Sequence, residues 1–327
     1  MPISLGFGPA DLARCRFAVS PAFETLSAVR DATGPQGPGA HGRWLESVRP
    51  ALPGLGLEPI VLLQPRRGYT PDFLAPPPTA PVGDFDAELT RIAATPAPVV
   101  RREIELALRS APPGSRDTPT GRLLLGDPAE VLSLLTQLIR AAWQTLVAPH
   151  WPRVRALLEA DVAYQSRRLA EGGLDALFAD LHPTVHWTGD TLVRDPGGDE
   201  HHDLDGRGLI LMPSAFKWDE VIVITDPPWQ PTLVYPARGL GNTFEPRRGT
   251  PAAALTKLVG RTRAHLLTGL DEPTSTSRLA HRHALALGTV SEHLGVLRDA
   301  GMVVGERHRH EIRYRRTELG DRVVRGR

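Results

Sequence analysis

Small and polar side chains alternate with apolar ones at helical spacing in residues 285–301. The apolar positions recur at i, i+4 and i+7 and are Val290, Leu294 and Leu297. The residues that face away from this stripe are Gly288, Ser291, Glu292 and Gly295. A helix with such a small, polar outer face fits a DNA major groove, which is about 12 Å wide, and can hydrogen-bond to base edges. The segment therefore indicates contact with double-stranded DNA rather than catalysis.

The charge of the chain is divided unevenly between its two ends. Residues 252–327 contain 14 Lys or Arg and 8 Asp or Glu, a net charge of +6, whereas residues 1–251 contain 24 and 29, a net charge of −5. A basic terminal module attached to an acidic body is the layout expected when one domain approaches phosphates.

The residues on the N-terminal side of this segment predict two further helices. Residues 252–270 read as one helix whose buried stripe is Leu255, Leu258, Val259, Leu266 and Leu267. Ser275 is a candidate N-cap for a second helix that ends near His283. Residues 284–286 then form a short turn, so a helix-turn-helix is predicted.

The residues on the C-terminal side predict a β-hairpin. Gly301 occupies the position where a helix end favours a left-handed residue. Residues 303–307 and 311–315 then alternate as two strands, with Ile312 and Tyr314 on one face and arginines on the other.

This region resembles the ArsR-type winged helix-turn-helix transcriptional regulators, through two motifs. They are Leu285-x-x-Gly288-Thr289-Val290-Ser291-x-His293-Leu294-x-Val296-Leu297-Arg298-Asp299-Ala300-Gly301 and Arg313-Tyr314-Arg315-Arg316-Thr317. The opening Arg16-Phe17-Ala18-Val19-Ser20-Pro21 and the pair His41-x-x-Trp44-Leu45 look like the long uncharacterised N-terminal domain of some actinobacterial members of this group, which brings no known activity.

The resemblance implies a homodimer that places one recognition helix per subunit in successive major grooves, as a repressor at a palindromic DNA operator. The recognition helix corresponds to residues 287–300 and the basic wing to residues 303–316. The positions that it implies for DNA binding are Ser275, Gly288, Thr289, Ser291, Glu292, Gly295, Arg307, Arg309 and Arg313.

Several residues depart from the family's pattern. Ala286 stands where a Ser or Thr caps the recognition helix, a loss of about 1 kcal/mol in ordinary helices. Leu287 replaces a first-turn proline or small polar residue, Arg278 breaks a capping box after Ser275, and Gly295 removes a common polar contact.

Two other functions stay open at this point. The first is an enzyme domain that carries a DNA-tethering tail, and it needs titratable residues that converge on one pocket. The second is a protein-interaction module that uses the winged helix to bind a partner chain. Glu292 and the wing arginines also have simpler interpretations, as a solvated side chain and as a charged edge that prevents strand pairing.

Metal, cofactor and catalytic motifs are missing from the sequence. There is no Cys-x-Cys pair, ten residues follow Thr317, and Cys15 is the single cysteine. Possible metal ligands (Asp, Glu and His) cluster at residues 199–203, with Asp205 nearby, but they lack the fixed spacing of a helix or strand. This cluster predicts a solvated loop. We therefore expect no metal, no cofactor and no enzymatic activity.

The first half of the chain has the pattern of helices separated by proline-rich breaks. Ser20-Pro21 and Asp127-Pro128 each combine an N-cap with proline at the first helical position. Residues 60–63 fit either a strand or a buried helix. Short apolar runs predict antiparallel strands at residues 185–187, 191–194, 208–212, 220–225 and 232–235.

The predicted fold class is α+β, with a mostly helical N-terminal domain that contains an antiparallel sheet, followed by a C-terminal winged helix-turn-helix domain. The domain limits are 1–240, a linker at 241–251, and 252–327. The N-terminal domain is assigned to dimerisation or to sensing a small organic effector. No leader and no apolar run of about 20 residues is seen, so the expected location is cytoplasmic, without a membrane partner. The aromatic and histidine residues expected to pack in the core are His41, Trp44, Trp143, Trp187 and Trp218.

Overall fold

The computed structural model describes residues 3–34, 42–65, 68–195, 200–216, 220–238, 251–270, 273–283, 285–308 and 311–325. The chain is a mixed α+β protein and divides into two units, Met1–Phe244 and Glu245–Arg327. Apart from Pro251, the predicted linker lies outside the described residues, as do His41, Trp218 and Arg309.

Helices make up most of the N-terminal unit. In its described residues they are α1 (Pro9–Leu12), α2 (Pro21–Thr33), α3 (Gly42–Val48), α4 (Glu58–Leu63), α5 (Phe85–Ala93), α6 (Ala97–Ser110), α7 (Pro119–Leu124), α8 (Pro128–Ala142) and α9 (Trp151–Ala179). The residues that fit either a strand or a helix thus belong to α4. A π-helical turn, Trp143–Val147, extends α8, and α9 is kinked at Gly172 and Gly173.

Two of these helices begin as their sequences predict. The Ser20 hydroxyl accepts a hydrogen bond from the Phe23 N–H at 3.0 Å, and Pro21 follows it at the start of α2. The Asp127 carboxylate accepts from the Ala129 N–H at 3.1 Å at the start of α8. Side chains of both helices then enter the main core, where Trp44 is fully buried and donates from its indole N–H to the Leu146 carbonyl.

The sheets of this unit correct the prediction of a simple antiparallel sheet. The strands are β1 (Ile3–Gly6), β2 (Arg16–Phe17), β3 (Val185–Trp187), β4 (Thr191–Arg194), β5 (Glu200–Asp203), β6 (Ile210–Ser214), β7 (Ile222–Ile224) and β8 (Thr232–Pro236). They form two four-stranded sheets, ordered β3-β4-β1-β5 and β2-β6-β8-β7. β1 pairs in parallel with β5, and β6 pairs in parallel with both β2 and β8.

The parallel pairs arise because β1 and β2 come from the start of the chain. The helical region separates them from the later strands, and a long connection of that kind permits parallel pairing, whereas a short hairpin does not. β1 and β2 are also too short to show the alternation of apolar and polar residues that marks a strand. β5 also replaces the solvated loop predicted at residues 199–203, of which Asp199 lies outside the described residues.

The C-terminal unit has five helices and three strands in its described residues. They are α10 (Pro251–Val259), α11 (Arg261–Thr268), β9 (Thr274–Ser275), α12 (Thr276–His283), α13 (Leu287–Asp299), β10 (Val303–His308), β11 (Glu311–Arg316) and α14 (Glu318–Arg325). The single helix predicted over residues 252–270 is wrong, because Gly260 adopts φ +86° and ψ 155° and separates α10 from α11. Leu258, assigned to the buried stripe, is 73% exposed.

Within the described residues, no single helix is both long and apolar enough to cross a membrane. The segment Pro128–Val147 and α9 meet that test only as a pair, which is bent by 86°.

Candidate nucleic-acid interface

α12 and α13 pack against each other in the C-terminal unit and are joined by residues 284–286. The predicted stripe of α13 is confirmed, since Val290, Leu294 and Leu297 are buried with Leu279 of α12. α13 begins one turn after α12 and ends before Gly301, whose φ of +70° agrees with its expected position after the helix. The core therefore fixes which face of α13 points outward.

The outward face of α13 is exposed and carries little bulk. Gly288, Ser291 and Glu292 are exposed, and Gly295 is half-buried on the same side. A Cβ atom added at either glycine would meet no atom within 4 Å. This face, which we call the α13 outer face, can therefore approach another surface closely.

The start of α13 has no side-chain cap. Ala286 has extended backbone angles and supplies no side-chain hydrogen bond, as its residue type predicts. Thr289 lies in the first turn and is half-buried. The first N–H groups of a helix carry a partial positive charge, so an uncapped first turn can receive an anion.

Charged side chains give the α13 outer face no net positive charge. Glu292 is exposed and makes no ion pair with any residue that the structure describes. Arg298 lies next to Asp299, with 3.5 Å between its guanidinium and the carboxylate. The positive charge of the C-terminal unit therefore lies on other elements.

β10 and β11 form the predicted antiparallel hairpin, with Val303 opposite Arg316 and His308 opposite Glu311. Directly opposed residues share a face of such a ladder. Arg307 is opposite Ile312 and thus lies on one face, whereas Arg313 is opposite Glu306 and lies on the other. Of the three arginines predicted to contact DNA from the hairpin, Arg307 and Arg313 therefore lie on opposite faces, and Arg309 lies outside the described residues.

Carboxylates accompany the arginines on one face of the hairpin. Arg313 is 2.7 Å from the Glu311 carboxylate, and Arg315 is 2.7 Å from that of Glu306. The hydrogen bond from Arg313 lowers the pKa of Glu311, and one with Ser275 acts in the same direction. Ser275 itself pairs with Arg313 between β9 and β11. On the other face Arg307 is exposed and has no carboxylate partner among the described residues.

Two further arginines of the C-terminal unit lie on α12, and sequence reasoning did not assign them to a DNA contact. Arg278 and Arg282 are exposed on α12, and we call them the α12 arginine pair. Arg282 donates to the Gly269 carbonyl at 2.8 Å. Their i, i+4 spacing was the signal that they share one helix edge.

Arg316 has a structural role in contrast. It is largely buried, pairs with Asp321 of α14 at 2.7 Å, and donates to the Leu267 carbonyl of α11 at 3.0 Å. It therefore ties the hairpin to two helices.

Titratable side chains also meet in a cavity of about 400 Å³ in the N-terminal unit. Tyr69 donates to the Asp72 carboxylate at 3.2 Å, and Asp226 lines the same cavity. Burial, and next the charge of Glu103, raise the pKa of Asp72 to about 7. Glu103 is fully buried and accepts from the Phe73 N–H at 2.9 Å, so it has a structural partner. With that pKa, the Asp72 carboxyl can exchange a proton near neutral pH.

Among the described residues, no group of three or more His, Cys, Asp or Glu side chains could hold a metal ion.

Two histidines lie close together in the C-terminal unit. His265 and His283 stack with ring centroids 6.4 Å apart, and burial lowers the pKa of His283.

Comparison with known proteins gives one match. Residues 86–241, just under half of the chain, are similar to DUF5937, a family of unknown function. The matched residues lie within the N-terminal unit. No curated protein and no solved structure matches the chain.

Proposed function

We propose that this chain is a sequence-specific transcriptional regulator that binds double-stranded DNA as a homodimer and acts as a repressor. α12 and α13 are its helix-turn-helix, and β10 with β11 is the wing of an ArsR-type winged helix-turn-helix domain. The single observation that carries the proposal is the α13 outer face, which is exposed, open at two glycines and followed directly by an antiparallel hairpin.

In this proposal α13 lies in the major groove. Gly288 and Gly295 let the helix backbone come close to the base edges, because neither carries a side chain that would hold it away. The Ser291 hydroxyl can donate or accept, and the Glu292 carboxylate can accept from the amino group of a cytosine. A phosphate oxygen can occupy the uncapped first turn.

Arginines outside α13 supply the attraction to phosphates. Arg307 and the α12 arginine pair are exposed and have no ion pair with a described carboxylate. Since each neutralised phosphate releases counterions, their contribution falls as salt concentration rises. The paired Arg313 and Arg315 contribute less, because their carboxylate partners repel the DNA.

Exposed apolar side chains support the homodimer. Leu258 of α10 is 73% exposed and Leu319 of α14 is 48% exposed, and these two helices pack against each other. A second copy that covers them would form the homodimer, and dimeric helix-turn-helix proteins place their two recognition helices in successive major grooves. A cytoplasmic location is part of the same proposal, since the operator lies there.

The test is footprinting of the DNA upstream of this chain's own coding sequence. We expect the full-length protein to protect a site with two halves about one helical turn, roughly 10 base pairs, apart. Absence of protection at low salt would contradict DNA binding and would favour the interpretation of the C-terminal unit as a protein-interaction module.

Matched arginine variants sharpen this test. Arg307→Ala removes one phosphate contact and is expected to reduce the slope of log affinity against log salt by about 1. Arg122→Ala removes the same charge from the exposed surface of α7 in the N-terminal unit and is expected to leave the slope unchanged. Equal slopes for both variants would remove Arg307 from the interface.

The second candidate function is an enzymatic N-terminal unit with a DNA-tethering tail. The hydrogen-bonded Tyr69 and Asp72 favour it, because an acid with a pKa of about 7 that faces a cavity can transfer protons at neutral pH.

A further inference from the structure

Leu287 is the first residue of α13, and its side chain is 55% exposed. Ala286 before it and Gly288 after it are also exposed, and neither has a side chain large enough to cover a leucine. A Cβ atom added at Gly288 would meet no atom within 4 Å, so the space beside the first turn is open. The isobutyl group of Leu287 is therefore available to a partner.

Leu287 also continues the α13 outer face. Leu287, Ser291 and Gly295 are four residues apart, so they form one row along the side of the helix. Ser291 is exposed, and Gly295 is half-buried. Leu287 and Ser291 are about 6 Å apart along the helix axis, close to two base-pair steps of about 3.4 Å each. A helix that lies along the groove and presents Ser291 to a base edge therefore presents Leu287 to a base pair about two steps away.

The major-groove edges of the base pairs carry hydrogen-bond donors and acceptors and one kind of apolar group. Guanine presents N7 and O6, adenine presents N7 and an amino group, cytosine presents an amino group, and thymine presents O4 with a C5-methyl group. A leucine side chain neither donates nor accepts a hydrogen bond. Against an edge without a methyl group it would displace water from a polar atom and give no hydrogen bond in exchange, which is unfavourable. Thymine is thus the base that Leu287 fits.

The position of Leu287 in α13 also favours base contact. Recognition helices reach the base edges with their N-terminal residues. Val296 is the other exposed large apolar residue of α13, a helix that the structure describes in full, and it is 41% exposed. It lies about 13.5 Å farther along the helix, in the C-terminal half, and is therefore less well placed.

We propose that Leu287 determines specificity by selecting a thymine in the operator, through contact between its isobutyl group and the C5-methyl group of the base. The inference rests on the proposed function, because it takes α13 to lie in the major groove. It adds the identity of one base pair and of the residue that reads it.

The test compares thymine with uracil, which differs from thymine only in lacking the C5-methyl group. Duplexes with the sequence protected in the footprint carry uracil in place of one thymine at a time, and the affinity of the full-length chain for each is measured at one salt concentration. We expect uracil at one thymine of a half-site to weaken binding about fourfold, the effect of leaving one methyl group unburied. Phosphates and hydrogen-bonding groups are the same in both duplexes.

Leu287→Ala identifies the residue that reads this methyl group. The variant is expected to bind the thymine and uracil duplexes equally, because alanine is too short to reach the methyl group. Ile312→Ala on β11 is the matched control, since isoleucine is an isomer of leucine and Ile312 is 52% exposed. A wing contacts phosphates or the minor groove, whose edges carry no methyl group, so Ile312→Ala should keep the difference between the duplexes. Val296→Ala should keep it too, and circular dichroism checks that each variant is folded.

The inference is overturned if uracil has no effect at any thymine of the protected site, or if Leu287→Ala keeps the difference between thymine and uracil. Loss of that difference in Ile312→Ala or Val296→Ala would also overturn it. Each of these results leaves operator binding intact, and with it the proposed function. Absence of binding to the thymine duplex would contradict the proposed function and this inference together.

Discussion

In the proposed complex with DNA, carboxylates beside the arginines determine how much of the basic charge in the C-terminal unit can act on the phosphates. The sequence gives residues 252–327 a net charge of +6. Arg313, Arg315 and Arg316 each have a carboxylate at 2.7 Å, whereas Arg307 and the α12 arginine pair have none among the described residues. The net charge therefore exceeds the number of phosphate contacts that we expect, and the salt dependence of binding should be moderate.

Asp72, also at the residue scale, leads to a prediction about how stability depends on pH. Its pKa is raised from 3.8 to about 7 in the folded chain, so the folded state keeps a proton that the unfolded state releases. The stabilisation that this proton provides is complete below pH 4 and is lost as pH rises through about 7. Asp72→Asn cannot lose a proton. We expect the free energy of unfolding of the variant, relative to the native chain, to increase between pH 4 and pH 7.5.

Urea denaturation at several pH values measures this difference. Glu88, whose pKa burial also raises to about 7, remains in both proteins, so its contribution cancels in the comparison. A difference in unfolding free energy that does not change with pH would show that Asp72 does not hold its proton in this range.

At the scale of secondary-structure elements, two glycines have opposite effects on the stability of the C-terminal unit. Gly260 separates α10 from α11 with angles that other residues rarely adopt, whereas Gly295 lies inside α13 with helical geometry and open space around it. We expect Gly260→Ala to destabilise the chain by about 1–3 kcal/mol. Gly295→Ala should stabilise it by about 1 kcal/mol, because alanine has the higher helix propensity.

Equilibrium unfolding of the two variants checks this pair. Each variant serves as the control for the other, since both add one methyl group where no atom lies within 4 Å. The description of the α10–α11 break would be contradicted if both substitutions changed stability in the same direction.

The elements that the sequence predicted well are those with local signals. α13 follows from the spacing of Val290, Leu294 and Leu297, and the hairpin follows from alternation after Gly301. β1, β2 and β5 were missed because they are short and pair with distant residues, so neither alternation nor a turn marks them. The break at Gly260 was missed because an isolated glycine inside a helical pattern is often tolerated.

At the scale of the whole molecule, each of the two units has a candidate site. The C-terminal unit presents the α13 outer face, whose residues the sequence identified by type. The N-terminal unit contains the Asp72 cavity, which no motif indicated because it combines residues from α2, β7 and several loops. Side chains that converge through tertiary packing leave no fixed spacing in the sequence.

The ratio of affinities for the footprinted duplex and for a scrambled duplex tests the role of the α13 outer face most directly, because non-specific charge effects cancel in it. Specific sites are usually bound at least 10³-fold more tightly than non-specific DNA. We predict that Gly295→Trp, whose Cβ atom would meet no atom of the folded chain within 4 Å, reduces this ratio to about 1. Arg307→Ala should weaken binding to both duplexes and leave the ratio nearly unchanged. A Gly295→Trp variant that keeps the native ratio would contradict the assignment of α13 as the helix that reads DNA.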